Sequence, residues 1–375
     1  MIEGLGRVLV IGGGIGGMAT AIALRQRGVE VDLIDSDPDW KVSGAGVTIT
    51  GPTLRAYRDL GLIDAIREHG FFTTGQAVFL FDGTPLVQLD QQPVAPDLPT
   101  AGGIMRPALH GIMSAELKRL GANIRLGITV ASFDENDDAV RVTFSNGDTG
   151  TYALAVAADG IYSSTRTQLF PDAVKPRYSG QMSWRVVAPR PPEMDKSEFY
   201  FGHANLGGIS PCADDKVYGY ILNPEPEVTR LATEDEPEAM RALMADFGGH
   251  MADIRDGIGP DTPIMRRPFE YALQPKPWHI GRVVLLGDAA HATTAHLASG
   301  AGIAVEDSIV LAEELERLAP DVPAALASYT ERRFGRCKFV VDSSVALGEH
   351  QLARGPVDEL GQMMAAAMQV LAEPI

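Results

Sequence analysis

The feature that most constrains this chain is a glycine-rich run, GGGIGG at positions 12–17, which follows the apolar residues 8–11. A short continuous apolar run is typical of a strand that is buried on both faces of a parallel sheet. Gly12 allows a tight turn out of that strand, Gly14 lets the backbone approach a pyrophosphate, and Gly17 lets the next helix pack closely on the sheet. The pattern therefore predicts a strand, a turn and a helix whose N-terminus faces phosphate groups.

A carboxylate occurs where such a fold would bind a ribose. Asp35 follows the predicted second strand, residues 29–34. At that position a carboxylate can accept a hydrogen bond from the ribose 2′-hydroxyl, which favours an adenosine without a 2′-phosphate. These residues alone predict FAD or NAD and do not separate the two.

Composition excludes several classes of protein. The 375-residue chain has a formal net charge of −17, so it lacks the basic surface that binding to nucleic acid requires. We see no signal peptide and no apolar run near the roughly 18 residues of a membrane span, which predicts a cytoplasmic protein without a membrane partner. Cys212 and Cys337 are far apart and outside any CxxC pattern, so we expect neither a disulfide nor a metal site.

The order of predicted elements indicates a nucleotide-binding domain that is interrupted by a sheet. Residues 282–286 repeat the signature of a buried parallel strand and precede a long helix, residues 302–318. Between the two halves, residues 178–277 alternate aromatic and β-branched residues, as antiparallel strands do. We predict an α/β fold with a discontinuous Rossmann-like domain over residues 1–72, 101–175 and 277–353, an inserted and mostly antiparallel β-sheet domain over residues 73–100 and 176–276, and C-terminal helices that include residues 354–375.

Two further motifs resemble a known family. The run DGIYSSTR, from Asp159 to Arg166, matches the DGxxSxxR pattern of the class A FAD-dependent aromatic hydroxylases, which include the para-hydroxybenzoate, salicylate and 6-hydroxynicotinate hydroxylases. The run GDAAH, from Gly287 to His291, matches a second motif of that family. With the glycine-rich turn, these motifs occur in the family's order and at its approximate spacing. The resemblance implies an FAD-binding domain, a β-sheet substrate-binding domain and a flavin ring at their interface.

The resemblance also implies which residues contact the cofactor. Asp288 would accept hydrogen bonds from the ribityl hydroxyls of the flavin, and Arg106 would approach the pyrophosphate unless it is an ordinary exposed arginine at a helix end. Asp159 belongs to a motif that serves both FAD and the nicotinamide cofactor, and Arg166 is either a cation for NAD(P)H or the structural ion-pair partner of a neighbour such as Asp159. The expected cofactor contacts are Gly12, Gly14, Ile15, Gly17, Asp35, Ala45, Gly46, Val47, Arg106, Val130, Asp159, Gly160, Arg166, Asp288, Gly300, Ala301 and Gly302.

Residues 43–47, SGAGV, resemble the loop beside the isoalloxazine, where glycine allows close approach. The chain departs from the family at Ala295, where a proline is usual, and at residues 299–302, which read SGAG in place of a glutamine-containing run. These departures bear on the floor of the pocket more than on FAD binding. Lys41 is the nearest match to a basic residue expected before the loop, one position out of register.

His296 is the candidate catalytic residue. The salicylate and hydroxynicotinate branches have a histidine here, on the substrate side of the flavin, where it would orient a phenol or pyridinol or accept its proton, since histidine titrates near neutrality. The alternative is a histidine that is hydrogen-bonded to the backbone, and His291 is expected to be structural. The residues expected to line the substrate pocket are Thr48, His203, Tyr218 and Tyr220, although ordinary sheet packing also accounts for a tyrosine.

The resemblance implies an FAD-dependent monooxygenase that hydroxylates a small aromatic or N-heteroaromatic, phenol-like or pyridinol-like substrate. NADH or NADPH would reduce the flavin, and O2 would give a C4a-hydroperoxide that transfers one oxygen atom to the ring. One alternative is an FAD-dependent reductase or dehydrogenase on the same scaffold, which the lack of a long apolar groove disfavours. Another is a non-catalytic flavin-binding or NAD-binding sensor, in which DGxxSxxR would be idle. The expected partners are the substrate, NAD(P)H and O2, with the chain a monomer or homodimer.

Overall fold

The computed structural model describes residues 2–42, 44–136, 138–203 and 205–375. The strands are β1 Val8–Ile11, β2 Val31–Asp35, β3 Gly46–Thr50, β4 Phe71–Thr73, β5 Gly75–Leu80, β6 Pro85–Asp90, β7 Ala101–Met105, β8 Asn123–Leu126, β9 Val130–Glu135, β10 Val140–Phe144, β11 Thr149–Tyr152, β12 Leu154–Ala157, β13 Arg177–Pro189, β14 Ser197–Phe201, β15 Leu206–Ala213, β16 Lys216–Pro224, β17 Met265–Tyr271, β18 His279–Ile280 and β19 Val283–Leu285. The α-helices are α1 Ile15–Gln26, α2 Gly51–Asp59, α3 Ile63–His69, α4 Arg106–Arg119, α5 Ser164–Leu169, α6 Glu236–Leu243, α7 Gly249–Gly257, α8 Asp288–His291, α9 Gly300–Leu318, α10 Val322–Leu352 and α11 Val357–Ala372.

A six-stranded sheet forms the first domain, in the order β18-β19-β12-β1-β2-β8. The strands β19, β12, β1, β2 and β8 run parallel, and all four residues of β1 are buried, as the apolar run predicts. Because parallel strands end at the same edge of a sheet, the residues that follow β1, β2, β12 and β19 meet there. This carboxyl edge therefore brings together Gly12, Asp35, Asp159 and Asp288, and the predicted α/β fold is confirmed.

The second domain is built on a seven-stranded sheet in the order β17-β13-β16-β15-β14-β5-β6. Neighbouring strands are antiparallel except for the parallel pair β14 and β5. Its strands come from residues 75–90 and 177–271, which lie inside the two segments predicted for the inserted domain.

The two faces of this sheet have different neighbours. On β13, Met182, Trp184 and Val186 pack into an apolar cluster with helices α6 and α7. Because side chains alternate along a strand, the residues between them point to the opposite face. That face lies against β3 and β7, with Val187 in an apolar cluster around Ala45. The inserted sheet therefore touches the first domain directly.

Two of the hairpins turn at glycines. Gly83 joins β5 to β6 and Gly147 joins β10 to β11, with φ angles of 87° and 88°, a region that favours glycine. The helix predicted over residues 302–318 begins slightly earlier, at Gly300, and α11 lies within the predicted C-terminal segment. Within the described ranges, none of the helices combines the length and apolar character that a bilayer crossing needs.

Candidate active site

Glycine is required at different positions of the first turn for different structural reasons. Gly12 has a φ of 102°, and a Cβ there would lie 2.3 Å from the carbonyl oxygen of Ala158. A Cβ on Gly17 would lie 1.8 Å from the oxygen of Gly12, so close packing excludes any side chain at either position. Gly14 is different, because it is exposed and a Cβ there would meet nothing within 4 Å. Packing does not account for this glycine, whereas a phosphate that approaches the N-terminus of α1 does.

Asp35 stabilises the same turn. Its Oδ2 accepts a hydrogen bond from the Gly13 amide at 2.6 Å, and its Oδ1 accepts one from the Asp37 amide at 2.8 Å. A carboxylate can accept about four hydrogen bonds, so these two leave capacity for the predicted ribose. The Trp40 indole, which sequence reasoning missed, donates to the Gly13 oxygen at 3.0 Å and lies edge-on to His110.

The DGxxSxxR motif folds back on itself and reaches the GDAAH motif. Asp159 accepts hydrogen bonds from the Thr165 amide at 3.0 Å and from the Ser163 hydroxyl, so it holds the start of α5. Arg166 is 2% exposed, and its guanidinium donates to the carbonyl oxygens of Ile161 at 2.7 Å and Ala289 at 2.8 Å. The structure thus shows backbone partners for Arg166 in place of the ion pair with Asp159, and its buried guanidinium ties two cofactor motifs together.

Asp288 is exposed at the carboxyl edge, where β19 ends. Protein atoms crowd around this accessible carboxyl, and the resulting partial desolvation raises its pKa, while the positive charges of His291 and Arg106 partly offset that effect. Arg106 begins α4, its amide donates to the Ala45 oxygen at 3.1 Å, and its side chain lies where a Cβ on Gly44 would be. The arginine and the carboxylate therefore both lie near the loop of residues 44–47, as the resemblance implies. Ser43 of that loop falls outside the described residues.

A substitution at Asp288 tests its proposed role in holding the cofactor. We expect Asp288→Ala to weaken FAD binding by about 10-fold or more, because hydrogen bonds to a carboxylate are among the stronger ones in proteins. The thermal unfolding midpoint of the apoprotein should not fall, since the side chain is exposed. The measurement is FAD titration of apoprotein, with Asp358→Ala on α11, also exposed, as the control. Equal FAD affinity in the two variants would remove Asp288 from the site.

A buried ionic network supports the GDAAH motif from behind. Asp307, which is fully buried, accepts hydrogen bonds from His291 Nε2 at 2.5 Å, from the Gly287 amide at 3.1 Å and from Arg333 Nε at 2.7 Å. Burial alone would raise the pKa of Asp307, but His291 and Arg333 hold it well below its usual range. His291 is therefore held inside this network by the carboxylate of Asp307, and its structural role stays a prediction. Atoms of His291, Asp307 and Cys337 that could bind a metal ion lie within 4.8 Å of one another. The guanidinium of Arg333 already supplies positive charge to the carboxylate of Asp307 there.

The other expected cofactor contacts take several positions. Gly300, Ala301 and Gly302 form the first turn of α9, whose backbone N–H groups lack intrahelical partners and can donate to a flavin oxygen. Gly302 is also required by packing, since a Cβ there would lie 2.1 Å from the Thr53 hydroxyl. Ile15 begins α1 and Gly160 follows β12 in a turn, with a φ of 79°, whereas Val130 is buried in an apolar core. Val47 lies in β3, opposite Ile104.

Three of the four predicted pocket residues meet where β3 crosses the inserted sheet. The Thr48 hydroxyl hydrogen-bonds the Tyr218 hydroxyl and also the Ser210 hydroxyl, the latter at 3.1 Å. A Cβ on Gly46 would lie 2.3 Å from the Tyr218 ring, so the loop of residues 44–47 and the inserted sheet are in contact. Tyr220 lies on the same face, with its ring centroid 5.9 Å from that of Tyr218. We call Thr48, Ser210, Tyr218 and Tyr220 the hydroxyl cluster.

His203 does not join the hydroxyl cluster. It is exposed in the turn between β14 and β15, and its ring lies 4.1 Å from that of Phe81. Strand alternation places a side chain on a face only when the residue belongs to the strand. The prediction treated His203 as a strand residue, whereas the strands end at Phe201 and restart at Leu206.

Arg185 shares the face of the hydroxyl cluster, although no site residue was predicted at this position. It lies opposite Tyr220 in the pairing of β13 and β16 and therefore on the face of the hydroxyl cluster. The side chain is half-buried, and burial lowers the pKa of its guanidinium, an effect to which the charge of Arg106 adds. The available signal was a charged residue in an otherwise apolar run, between Trp184 and Val186.

His296 lies at the other end of the same face. Its Nδ1 is 2.9 Å from the Thr294 hydroxyl, and its ring lies edge-on to Phe269. Its Nε2 is buried without a hydrogen bond of good geometry within the described residues, as are the side-chain amides of Gln181 and Gln351. Gln181 meets the ring beside Gly348, and Gln351 lies close enough to act on the imidazole. Burial lowers the pKa of His296 to about 4, so the ring is neutral at neutral pH, in contrast to the expected titration near neutrality.

The strand geometry separates this histidine from the hydroxyl cluster. Gln181, Ser183 and Arg185 are alternate residues of β13 and share one face, with side chains roughly 7 Å apart. His296, beside Gln181, is therefore roughly 13 Å along the strand from Arg185. The two groups mark opposite ends of the surface that faces the first domain.

Comparison with known proteins identifies the family. The family model described as "FAD binding domain" matches residues 6–344, which is most of the chain. The chain belongs to this family, that of the class A flavoprotein hydroxylases. It is accordingly an FAD-dependent monooxygenase, and the predicted FAD cofactor is confirmed.

The relatives span nearly the whole chain. An aurachin C monooxygenase/isomerase from Stigmatella aurantiaca is 32% identical over 351 residues, which cover 91% of this chain and 88% of that protein. The 2-heptyl-3-hydroxy-4(1H)-quinolone synthase of Pseudomonas aeruginosa is 32% identical with the same coverage. Among solved structures, HpxO of Klebsiella pneumoniae, complexed with FAD and uric acid, is 23% identical, has a TM-score of 0.84 and covers 99% of this chain and 94% of its own. That last likeness shows the fold.

Proposed function

We propose that this enzyme hydroxylates a small aromatic or N-heteroaromatic, phenol-like or pyridinol-like substrate, with NADH or NADPH as reductant. The observation that carries the proposal is the direct contact between β3 and the inserted sheet, where the Thr48 hydroxyl meets those of Tyr218 and Ser210. Residues 45–47, which the family resemblance places beside the flavin, are adjacent to these hydroxyls. A ring held there by its own oxygen would lie next to the cofactor.

The balanced reaction consumes one substrate, one NAD(P)H, one proton and one O2, and it yields hydroxylated substrate, NAD(P)+ and water. FAD, when bound, supplies both the acceptance of hydride and the activation of O2. The chain's part is to hold the cofactor with Asp288, Arg106 and the first turn of α9, and to hold the ring with the hydroxyl cluster. Water must also be excluded from the reacting atoms, and the close packing of Tyr218 against Gly46 contributes to that.

The relatives support a ring of this kind. One relative is named for a 3-hydroxy-4-quinolone product, and the structure similar in fold contains uric acid. Both compounds are nitrogen heterocycles with oxygen substituents on the ring. Hydroxyl groups that both donate and accept hydrogen bonds suit such oxygens in either protonation state.

The test is to mix the FAD-loaded enzyme with NADH or NADPH and a panel of phenols, hydroxypyridines and hydroxyquinolines. We expect one subset to stimulate both NAD(P)H oxidation and O2 uptake, and to gain one oxygen atom by mass spectrometry. Hydride acceptance without O2 uptake or oxygen insertion would favour the reductase alternative. If no compound stimulates the oxidation of NADH or NADPH, the alternative of a non-catalytic flavin-binding or NAD-binding sensor is favoured.

His296 provides a prediction about coupling. We propose, as the alternative to an anchor at the hydroxyl cluster, that Nε2, left as an acceptor when Nδ1–H donates to Thr294, receives a hydrogen bond from the substrate hydroxyl. One small ring cannot contact both sites, because they are roughly 13 Å apart along the strand. His296→Ala should then retain FAD and consume NAD(P)H, but the yield of hydroxylated product per NAD(P)H should fall at least about tenfold, because positioned proton acceptors contribute roughly 10²–10⁴-fold. The measurement is the ratio of hydroxylated product to NAD(P)H consumed. The H2O2 formed is measured in parallel, because reducing equivalents that do not give product should appear as H2O2.

The pH dependence and a control complete this test. Because the free-enzyme pKa of His296 is lowered to about 4, its acceptor is available above that pH and is lost only as the pH falls through it. Titration of His296 should therefore not change the wild-type ratio of product to NAD(P)H consumed across the neutral pH range. His69→Ala, an exposed histidine on α3, is the matched control. An unchanged ratio in His296→Ala would return His296 to the structural role, and loss of FAD would place it against the cofactor.

A further inference from the structure

A group of exposed apolar side chains lies at the free edge of the inserted sheet. Of the ten large apolar side chains that are exposed among the described residues, four belong to residues 80–89. Strand β6 is the last strand in the sheet order, and all of its residues are exposed. Exposed apolar surface that is contiguous marks a binding surface. Which face of the sheet each side chain occupies decides what that surface can bind.

Contacts assign these side chains to the two faces. The ring of Phe79 on β5 stacks on that of Tyr200 on β14, at a centroid distance of 5.0 Å, and both lie on the side of α6 and α7. The residues that flank them along their strands therefore point to the opposite face, and directly paired residues of neighbouring strands share a face. Strand pairing thus places five apolar residues on the face of the hydroxyl cluster, and we call them the apolar strip: Val78, Leu80, Val87, Phe199 and Phe201.

The apolar strip is continuous with the hydroxyl cluster. Phe199 and Tyr220 pack against the same apolar cluster, and both lie opposite Gly208, which is on the strand between them. The Tyr220 ring occupies the space that Gly208 leaves, 2.3 Å from where a Cβ would be. Four strand spacings separate β16 from β6 in the sheet order, which is roughly 19 Å at about 4.8 Å per spacing. A substituent on a ring held at the hydroxyl cluster would pass over aromatic and then aliphatic side chains to the open edge.

Charge and edge chemistry favour an uncharged chain over a second copy of the protein. The formal net charge of −17 opposes the association of two copies. Pro85, the first residue of β6, has no N–H to donate to another strand, and the charged Asp90 ends β6; proline and charge both protect a sheet edge from pairing. An aliphatic chain carries no charge to be repelled and gains by the burial that the apolar strip offers.

We propose that the apolar strip binds an aliphatic substituent of the substrate while the hydroxyl cluster binds its ring oxygen, so that the enzyme selects alkyl-substituted phenols or pyridinols. This inference rests on the proposed function, with the anchor at the hydroxyl cluster, and adds the substituent to it. The residues of the strip are in this view specificity-determining and contact the substrate away from the reacting carbon. The sequence analysis found no long apolar groove because the strip is assembled from β5, β6 and β14, which are far apart in the chain.

The experiment compares ligands that differ only in chain length. FAD-loaded wild-type enzyme is titrated with 4-alkylphenols that carry methyl to heptyl chains, and the change in flavin absorbance reports binding. Val87→Asp places a carboxylate at the far end of the apolar strip, and Leu80→Ser removes apolar surface without adding charge. Leu86→Asp is the matched control, because Leu86 precedes Val87 on β6, points to the other face and is 48% exposed against 45% for Val87.

We expect wild-type affinity to rise about two- to fourfold with each added methylene, which is the gain that burial of such a group provides. Val87→Asp should lose roughly tenfold in affinity for the heptyl compound, equal to the burial of about two methylenes, and less than about threefold for the methyl compound. Leu80→Ser should lose less than Val87→Asp, and Leu86→Asp should follow wild type at every chain length. FAD content and the thermal unfolding midpoint should be unchanged, and Leu80→Ser carries the test if Val87→Asp lowers that midpoint.

Several outcomes would overturn the assignment. If wild type binds the phenols with an affinity that does not depend on chain length, the apolar strip has no role and the proposed function stands. Equal dependence on chain length in wild type and both strip variants, or equal losses in Val87→Asp and Leu86→Asp, would place the chain elsewhere. A wild-type dimer in sedimentation that Val87→Asp dissociates would assign the strip to a second copy. If no phenol of any chain length perturbs the flavin or stimulates NAD(P)H oxidation in wild type, the proposed function fails as well.

Discussion

Gly14→Glu protein should purify with less than about a tenth of the FAD that wild type carries, while its fold remains intact. The residue has a φ of −73°, which any amino acid adopts, and a Cβ there meets no protein atom within 4 Å. The added carboxylate would occupy the space in front of the α1 N-terminus, where it would displace and repel a pyrophosphate. The same negative charge is favourable to the helix dipole, so helix stability should not fall. The measurement is flavin absorbance per protein after gel filtration.

The control for this variant is Gly361→Glu on α11, another exposed glycine where a Cβ would meet nothing within 4 Å. It introduces the same side chain and charge away from the carboxyl edge, and it should keep full flavin. Circular dichroism of both variants should match wild type. Full flavin occupancy in Gly14→Glu would show that the cofactor phosphates bind elsewhere.

The largest loss of stability should follow from Arg333→Met. Arg333 is 1% exposed and pairs with the buried carboxylates of Asp307 and Glu306. Removal of one partner leaves the remaining charges buried and uncompensated, which typically costs about 3–5 kcal/mol of the free energy of unfolding. Because Asp307 also holds the Gly287 amide, FAD affinity should fall too. Denaturant unfolding of the apoprotein and FAD titration measure the two effects.

Lys338→Met, on the same helix, is the matched control, since its ion pair with Asp342 is exposed and should contribute about 0.5 kcal/mol or less. The pKa of Asp307 is held low in the folded state, so its contribution is present above the usual aspartate pKa of about 4 and is lost as the pH falls below it. The wild-type free energy of unfolding should decline in that range, and less steeply in Asp307→Asn. A change in Arg333→Met no greater than in Lys338→Met would mean that the network is not stabilising.

The sequence by itself determined the elements whose cause is local. The strand, turn and helix around Gly12 follow from an apolar run and from glycines that packing and phosphate approach require. Hairpins at Gly83 and Gly147 follow from turn residues that adopt positive φ. No strand was predicted over β7, AGGIM, because its two glycines interrupt the alternation of apolar and polar residues. Each glycine instead lets another strand approach, since a Cβ on Gly102 or Gly103 would lie within 2.4 Å of a backbone oxygen.

The tertiary structure decided what depends on partners far apart in the chain. The sequence offered Asp159 as the partner of Arg166, but burial beside α8 gives its guanidinium backbone oxygens instead. His296 carries the expected side chain, yet its surroundings lower its pKa to about 4. Arg185 is unremarkable in the sequence, and only the register of β13 with β16 places it on the hydroxyl cluster. Motifs report which groups a chain carries, whereas register, burial and long-range pairing determine their charge, their neighbours and the ligand they can bind.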